Sequence, residues 1–332
     1  MTRTETPRTL LCGTLTIATL VLMAGCGTLS TQTVPPVAHS AIQDPKPVEV
    51  APPQTEPPKS QLIVPDQPAV DYWTRRFSGE KHKSFQIQLD RAQNYVVPCQ
   101  EVFRELGLPE DLVYVALVES GFTPTAQSRA AAVGMFQFIS TTGKRFNLEQ
   151  NRWVDERRHP FKAARAAAEY LSVLYDTFHS WPLALAAYNC GENAVQGALD
   201  QSRLQSFWEL AQYGYLPSET RDYVPKVLAT IRIVRDTRQY GFQYDPQHYT
   251  PKHETVPVPG GVKLAWIEKQ TGVPESCLQS CNPELCRAAT PPGDSTYNLC
   301  VPIGTGCTVQ AALAGCPLPE ERLEEKPLVL KN

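Results

Sequence analysis

A mainly α-helical body followed by a small α+β unit is the architecture expected of this chain, and three features of its 332 residues point to it. Between about Asp71 and Tyr244, apolar residues recur at helical spacing, Gly and Pro punctuate the runs, and strand-like alternation is scarce. From about His253 to Gly306, two alternating stretches flank two short helical ones. Six of the ten cysteines crowd between Cys277 and Cys316, as in a small unit held by cross-links. The hydrophobic content of 42% is enough for a real core. A net charge of −3 without a long basic run leaves nucleic-acid binding nothing to rest on, and no nucleic-acid partner is expected.

The chain opens with Arg3 and Arg8, then an apolar segment from Leu10 to Met23, then "LMAGC" from Leu22 to Cys26. A charged start, a short apolar stretch and small residues describe an export signal rather than a membrane span of ~20 apolar residues. "LMAGC" resembles the lipobox of bacterial lipoproteins, which implies cleavage after residue 25 and lipidation of Cys26. With Gly27 rather than Asp after the cysteine, the resemblance implies the periplasmic face of the outer membrane. Ordinary secretion with a chance cysteine is the alternative. From Thr31 to Val70 lie 10 of the 30 prolines, in a segment poor in core-forming residues. It is expected to be an extended, disordered tether over 26–70.

The helical domain is expected over 71–245. "CQEVFRELG" places Val102, Phe103 and Leu106 on one face and stops at Gly107. "LPEDLVYVALVESG" has Pro109 and two acids at its start and Gly121 after its end. "HPFKAARAAAEYLSVLYDTF" keeps Ala164, Ala167, Ala168, Leu171, Leu174 and Tyr175 on one stripe. "WPLALAAYN" is apolar almost all round and therefore buried. "PSETRDYVPKVLATIRIVRD" is a longer helix with Ser218 as its cap and an interruption at Pro225. A Cys-rich strand, helix, helix, strand module follows over 246–318. Residues from Thr308 have no clear periodicity, so they and the tail at 319–332 are expected to be loosely ordered.

After removal of Cys12 with the signal and use of Cys26 for lipid, eight cysteines remain, an even number that argues for disulfides in an exported chain. Zinc ranks below bridges, because no CxxC pair is present. No metal and no cofactor are expected, and the three bridges among the last six cysteines are not assigned.

Glu119 is the candidate catalytic residue. Its helical neighbours Ala116, Val115 and Leu112 are apolar, and it stands at a helix C-terminus, where the carbonyl ends disfavour an anion. Both effects raise a carboxyl pKa and suit a general acid near neutral pH. On that helix alone, Glu119 also reads as a glutamate whose head reaches solvent past the helix end. No other acid follows it until Glu149.

The stretch "ESGFTPTAQSRAAAVGMFQF" is similar to the Glu-Ser and Gly-Leu-Met/Trp-Gln motifs of lytic transglycosylases of the goose-lysozyme-like superfamily. "AAYNCGENAV" matches their Ala-Tyr-Asn motif and "ETRDYVPKV" their last one, in order across about 110 residues. The layout resembles the membrane-bound lytic transglycosylase D group, which joins such a lysozyme-like domain to LysM-type modules. "CNPEL", within the Cys-rich unit, echoes the Leu-Asn-Pro of a LysM module. That unit is read equally as a glycan-binding LysM-like module or as a disulfide-stapled stability domain.

The resemblance implies a monomeric enzyme acting on peptidoglycan glycan strands and held at the membrane by its lipid. It would cut the β-1,4 bond between N-acetylmuramic acid and N-acetylglucosamine without water. Glu119 would protonate the leaving oxygen, then deprotonate the muramyl 6-hydroxyl, which closes a 1,6-anhydro ring. Carried over by position, Gln137 would contact the muramyl sugar, Met135 and Phe136 would shape the cleft wall, and Ser128 would touch the substrate. Tyr188 would orient Glu119, Asn189 would line the cleft, and Tyr223 would come from the last helix. Ala131 and Cys190 depart from the usual Gly and Ala. Cys99 and Cys190 are read either as a pair or as buried free thiols. A lysozyme-type hydrolase, with an acid such as Asp155 or Glu219 folded close to activate water, and a non-catalytic peptidoglycan-binding lipoprotein are the alternatives.

Overall fold

The computed structural model describes residues 59–246, 249–293 and 295–315. The expected signal, Cys26, most of the tether, Cys316 and the tail at 319–332 lie outside them. In chain order the helices of the body are α1 (Pro68–Ser78), α2 (His82–Ala92), α3 (Val96–Glu105), α4 (Val115–Ser120), α5 (Ser140–Arg145), α6 (Pro160–Phe178), α7 (Trp181–Cys190), α8 (Glu192–Ser202), α9 (Phe207–Gln212) and α10 (Ser218–Arg235).

The apolar patterns decide the packing. Five alanines of α6, from Ala163 to Ala168, are buried and let α3 and α7 approach closely. Helix α7 buries Leu183 to Ala187 on every side, as its unbroken apolar text requires, and the Trp181 ring packs at a tilt on Tyr175, 4.4 Å between centres. Helix α10 packs on α1, α4 and α7 and so spans the body. It runs unbroken through Pro225, contrary to the expected interruption, because its neighbours Val224, Val227 and Leu228 are fully buried and hold the turn in place. Ser218 is the first residue of this helix rather than its cap; Pro217 stands at the cap position with no side-chain bond. The run expected as one helix from Glu110 divides into a 3-10 turn, Glu110–Tyr114, and α4.

The tether ends earlier than residue 70. Lys59 pairs with Asp176 at 2.6 Å, and Leu62 is buried in the helical core. Arg235 and Arg232 of α10 each donate at 2.9 Å, to the carbonyls of Leu62 and Pro65. The apolar run around Leu62 gives this stretch an anchor that the proline-rich text before it lacks.

The C-terminal unit comprises β1 (His253–Val258), α11 (Leu264–Thr271), α12 (Glu275–Cys281), β2 (Tyr297–Pro302) and α13 (Gly306–Ala314). The strands are antiparallel, with His253 opposite Pro302 and Val258 opposite Tyr297. Val256, Val258, Leu299 and Val301 face inward on Leu264, Ile267, Leu278 and Val309. Helix α13 replaces the loosely ordered tail expected from Thr308. Its nine residues are small and apolar nearly all round, so no amphipathic stripe announces it. The unit docks on the helical body through Val154, which joins its core and bridges Leu285. Cys286 N–H also donates to the Trp153 carbonyl at 2.7 Å.

All seven described cysteines are free thiols. Cys99 lies wholly inside the core on α3, whereas Cys190 ends α7 and opens onto a cleft, so the two do not pair. Among the described residues, no helix is long and apolar enough to cross a membrane.

Candidate active site

A cleft of about 620 Å³ opens along α4, the loop between α4 and α5, the end of α7 and one side of α10. Glu119 reaches it from the last turn of α4, which ends at Gly121 in the left-handed conformation, φ 58°. Ser120 ties that turn to the loop: its hydroxyl donates to the Met135 carbonyl at 2.9 Å and accepts from Thr123 N–H at 3.0 Å.

The loop itself is held by its backbone. Gly134 N–H donates to the Ala126 carbonyl, Ser128 N–H to the Ala132 carbonyl, and Val133 exchanges both bonds with Phe138. Gly134 has φ 89°, and a Cβ there would come within 1.8 Å of the Arg157 carbonyl oxygen, so only glycine fits. Arg157 braces the loop from behind by donating to the Ala131 and Phe138 carbonyls while pairing with Asp155 at 2.8 Å. Asp155, weighed above as a distant acid, is thus occupied structurally and does not line the cleft.

The positions singled out in the sequence fall in three groups. Glu119, Ser128, Gln137, Tyr188, Asn189 and Tyr223 all line the cleft. Met135 and Phe136 do not: both are fully buried, because the loop turns at Gly134 and drives these two side chains into the helical core. They support the cleft floor and do not form its wall. Gln137, at φ 51°, donates its amide to the Gly134 carbonyl at 2.8 Å, which fixes the side chain and leaves its oxygen as an acceptor.

Tyr188 does not hold Glu119. Its hydroxyl donates to the Phe136 carbonyl at 2.8 Å, and its ring packs on Tyr170 and Phe138. The residue that reaches Glu119 is Tyr223 of α10, whose hydroxyl donates to Oε1 at 2.7 Å. One turn earlier on α10, Thr220 donates to Asn189 Oδ1 at 2.7 Å, and Glu219 lines the cleft. Glu219 and Lys226 were not singled out as lining residues, and the helical spacing Glu219, Tyr223, Lys226 would have put them on one face.

Burial pushes the Glu119 carboxyl up to about 7; the Tyr223 hydrogen bond opposes this and the nearby Glu219 adds to it. The phenols of Tyr188 and Tyr223 are raised well above their ordinary value, by burial first and by Glu119 second, so both stay protonated. The cleft therefore holds an acid that can give a proton at neutral pH and take one back.

Residues 104–211 match the family model described as Transglycosylase SLT domain. The chain is 30% identical over 227 residues to membrane-bound lytic murein transglycosylase D of Escherichia coli (strain K12), covering 67% of this chain and 49% of that protein. It is 34% identical over 125 residues to peptidoglycan transglycosylase gp16 of Escherichia phage T7, covering 37% of this chain and 9% of that one. The 70 kDa soluble lytic transglycosylase of Escherichia coli aligns in three dimensions at 19% identity over 56% of this chain and 33% of its own. The TM-score of that alignment is 0.38. The chain spans about half the length of the transglycosylase D relatives it matches.

Proposed function

We propose, on the match of residues 104–211 to the transglycosylase SLT domain family, that the protein is a peptidoglycan lytic transglycosylase, a lyase that opens the MurNAc-β-1,4-GlcNAc bond and leaves 1,6-anhydromuramyl ends. The observation that carries this reading is the buried carboxyl of Glu119 in the cleft, held by Tyr223 and raised to about 7. Glu119 gives its proton to the glycosidic oxygen as the C1–O bond breaks, and the substrate's N-acetyl group stabilises the positive carbon. The resulting carboxylate takes the proton of the muramyl 6-hydroxyl as that oxygen bonds to C1. Glu119 ends as it began and no water is consumed.

Ser128, Gln137, Asn189 and Tyr223 are the groups proposed to meet the sugar, with Tyr223 as the residue that orients Glu119. Tyr188 contributes its ring to the wall, and Met135 acts only from beneath. Glu219 is the observation on the side of a lysozyme-type hydrolysis, since a second carboxylate in the cleft could activate water.

The proposal extends to location. "LMAGC" supports lipidation at Cys26 after removal of 1–25, and anchoring at the periplasmic face of the outer membrane, by a tether that ends near residue 59. The strand, helix, helix, strand order of 253–302 supports a LysM-like module that would hold the enzyme on its polymer.

Digestion of purified peptidoglycan, followed by mass spectrometry of the released muropeptides, tests the reaction. Anhydro-muropeptides from the wild type and none from Glu119→Gln are expected. Reducing-end products, heavier by one water, would establish hydrolysis instead, and no release by folded protein would leave a binding lipoprotein.

A further inference from the structure

One charged group of the cleft has no part in the proposed reaction. Lys226 lies on α10 three residues past Tyr223 and seven past Glu219, so the three line the cleft as a stripe along one side of the helix. It is the one cation among the residues that line the cleft. Its ammonium stands 4.4 Å from the centre of the Trp73 ring, and no ion pair among the described residues includes it. Glu219 is about 10 Å away along the helix axis, beyond pairing distance.

A cation held on an aromatic face keeps its charge available, because the ring attracts it without neutralising it. In a partly desolvated cleft such a group favours an anion through a charge-assisted hydrogen bond. The proposed substrate has a neutral sugar backbone. Its negative charge sits on the substituent of the muramyl sugar, as carboxylates of the stem peptide or, once the stem is removed, as the free lactyl carboxylate. Tyr223, which bonds the proposed acid, is one turn from Lys226, so a substituent on the sugar at the reaction centre comes within reach. Glu219, two turns off at the other end, repels the same anion and gives the strand a direction.

We infer that Lys226 binds a carboxylate on the muramyl substituent and makes the cleft selective for glycan that carries one. This rests on the reaction proposed above.

The test uses the full chain with Lys226→Met, which keeps the stem over Trp73 and removes the charge, and Lys226→Arg, which restores it. KM and kcat are measured on stem-bearing strands and on strands stripped by an amidase, at low and high salt. Dissociation constants for both strands and for a neutral N-acetylglucosamine oligomer are measured in the Glu119→Gln background. The expected result for Lys226→Met is a KM about tenfold higher with kcat nearly kept, a flattened salt dependence, unchanged binding of the neutral oligomer, and recovery in Lys226→Arg. Loss confined to stem-bearing strands identifies the stem carboxylate, loss confined to stripped strands identifies the lactyl carboxylate, which is free only there, and equal loss on both means that Lys226 takes either one. An unchanged KM, or a neutral oligomer weakened by the same factor, overturns the inference. If the wild type releases no anhydro-muropeptides the proposed reaction fails, while the dissociation constants still decide the role of Lys226.

Discussion

Tyr223 and Glu119, 104 positions apart in sequence, meet in a hydrogen bond of 2.7 Å in which the phenol donates to the carboxyl oxygen. The bond does two opposed things. It fixes the direction of the acid, and it favours the charged form, so it holds the Glu119 pKa below where burial alone would put it. Tyr223→Phe removes both effects. The basic limb of the pH profile of kcat/KM, where the acid loses its proton, should move to higher pH, and the rate at the optimum should fall about tenfold or more. An unmoved limb would show that the phenol does not act on Glu119.

Burial of Glu119 also has a cost in stability, and its sign is fixed by the direction of the shift. The folded pKa of about 7 lies above the ordinary 4.5, so the folded state holds the proton more tightly than the unfolded state. Below about pH 4.5 both states are protonated and nothing is lost; between about 4.5 and 7 the folded state loses ground, by at most roughly 3 kcal/mol above that window. Glu119→Gln removes the charge and keeps the shape. The variant should melt several degrees above the wild type at pH 8, with the gap closing by pH 4. Equal melting temperatures at pH 8 would mean that Glu119 is solvated in the folded protein.

Much of this arrangement could be read from the residues, and the failures have physical causes. Helices α3, α4, α6, α7 and α10 are legible in their apolar stripes and their Gly and Pro boundaries, since those patterns are local. Glu119 was accessible for the same reason: its apolar neighbours precede it on one short segment. The partner of Glu119 was not, because Tyr188 and Tyr223 are both aromatic residues of cleft-forming helices, and the choice between them depends on how α7 and α10 pack. Met135 and Phe136 belong to the cleft wall only by the family resemblance; a loop has no fixed face, and the turn at Gly134 sends both side chains into the core. Leu62 was lost in a proline-rich context, and α13 has too little contrast between its faces to show a period.

Gly134 carries a prediction of its own. The left-handed φ and the 1.8 Å approach to the Arg157 carbonyl mean that Gly134→Ala displaces either the loop or the backbone behind it. The cost should be about 2 kcal/mol or more, read as a fall in unfolding free energy in urea. Activity should fall further than stability, since Gln137 and Ser128 ride on the same loop. A fully active, equally stable variant would sink the argument that this turn sets the cleft.

Glu219 distinguishes tuning from catalysis. As a nearby carboxylate it helps raise the Glu119 pKa, so Glu219→Gln should shift the basic limb of the pH profile downward, by well under one unit. The products should remain anhydro-muropeptides. If Glu219 instead activates water, the wild type would release reducing ends and the variant would lose them.

Cys281 ends α12 and Cys300 lies in β2, and the Cys300 thiol hydrogen-bonds to the sulfur of Cys281, which holds the Cys281 thiol below its ordinary pKa. Asn282 fixes the two segments: its amide donates to the Cys300 carbonyl at 2.7 Å and its oxygen accepts the Cys300 N–H at 2.8 Å. A thiol with lowered pKa beside a second thiol on clamped backbones is poised for exchange. Oxidised glutathione should convert this pair to a disulfide, with two molecules of reduced glutathione released and the protein lighter by two hydrogens. Peptide mapping without reductant should join the segments that contain Cys281 and Cys300. The bond closes a loop of roughly 20 residues and should stabilise the unit by about 3 kcal/mol relative to Cys300→Ser, in a module whose core is small. Mapping that links Cys281 to Cys277, or leaves it free after full oxidation of the other thiols, would refute the pairing.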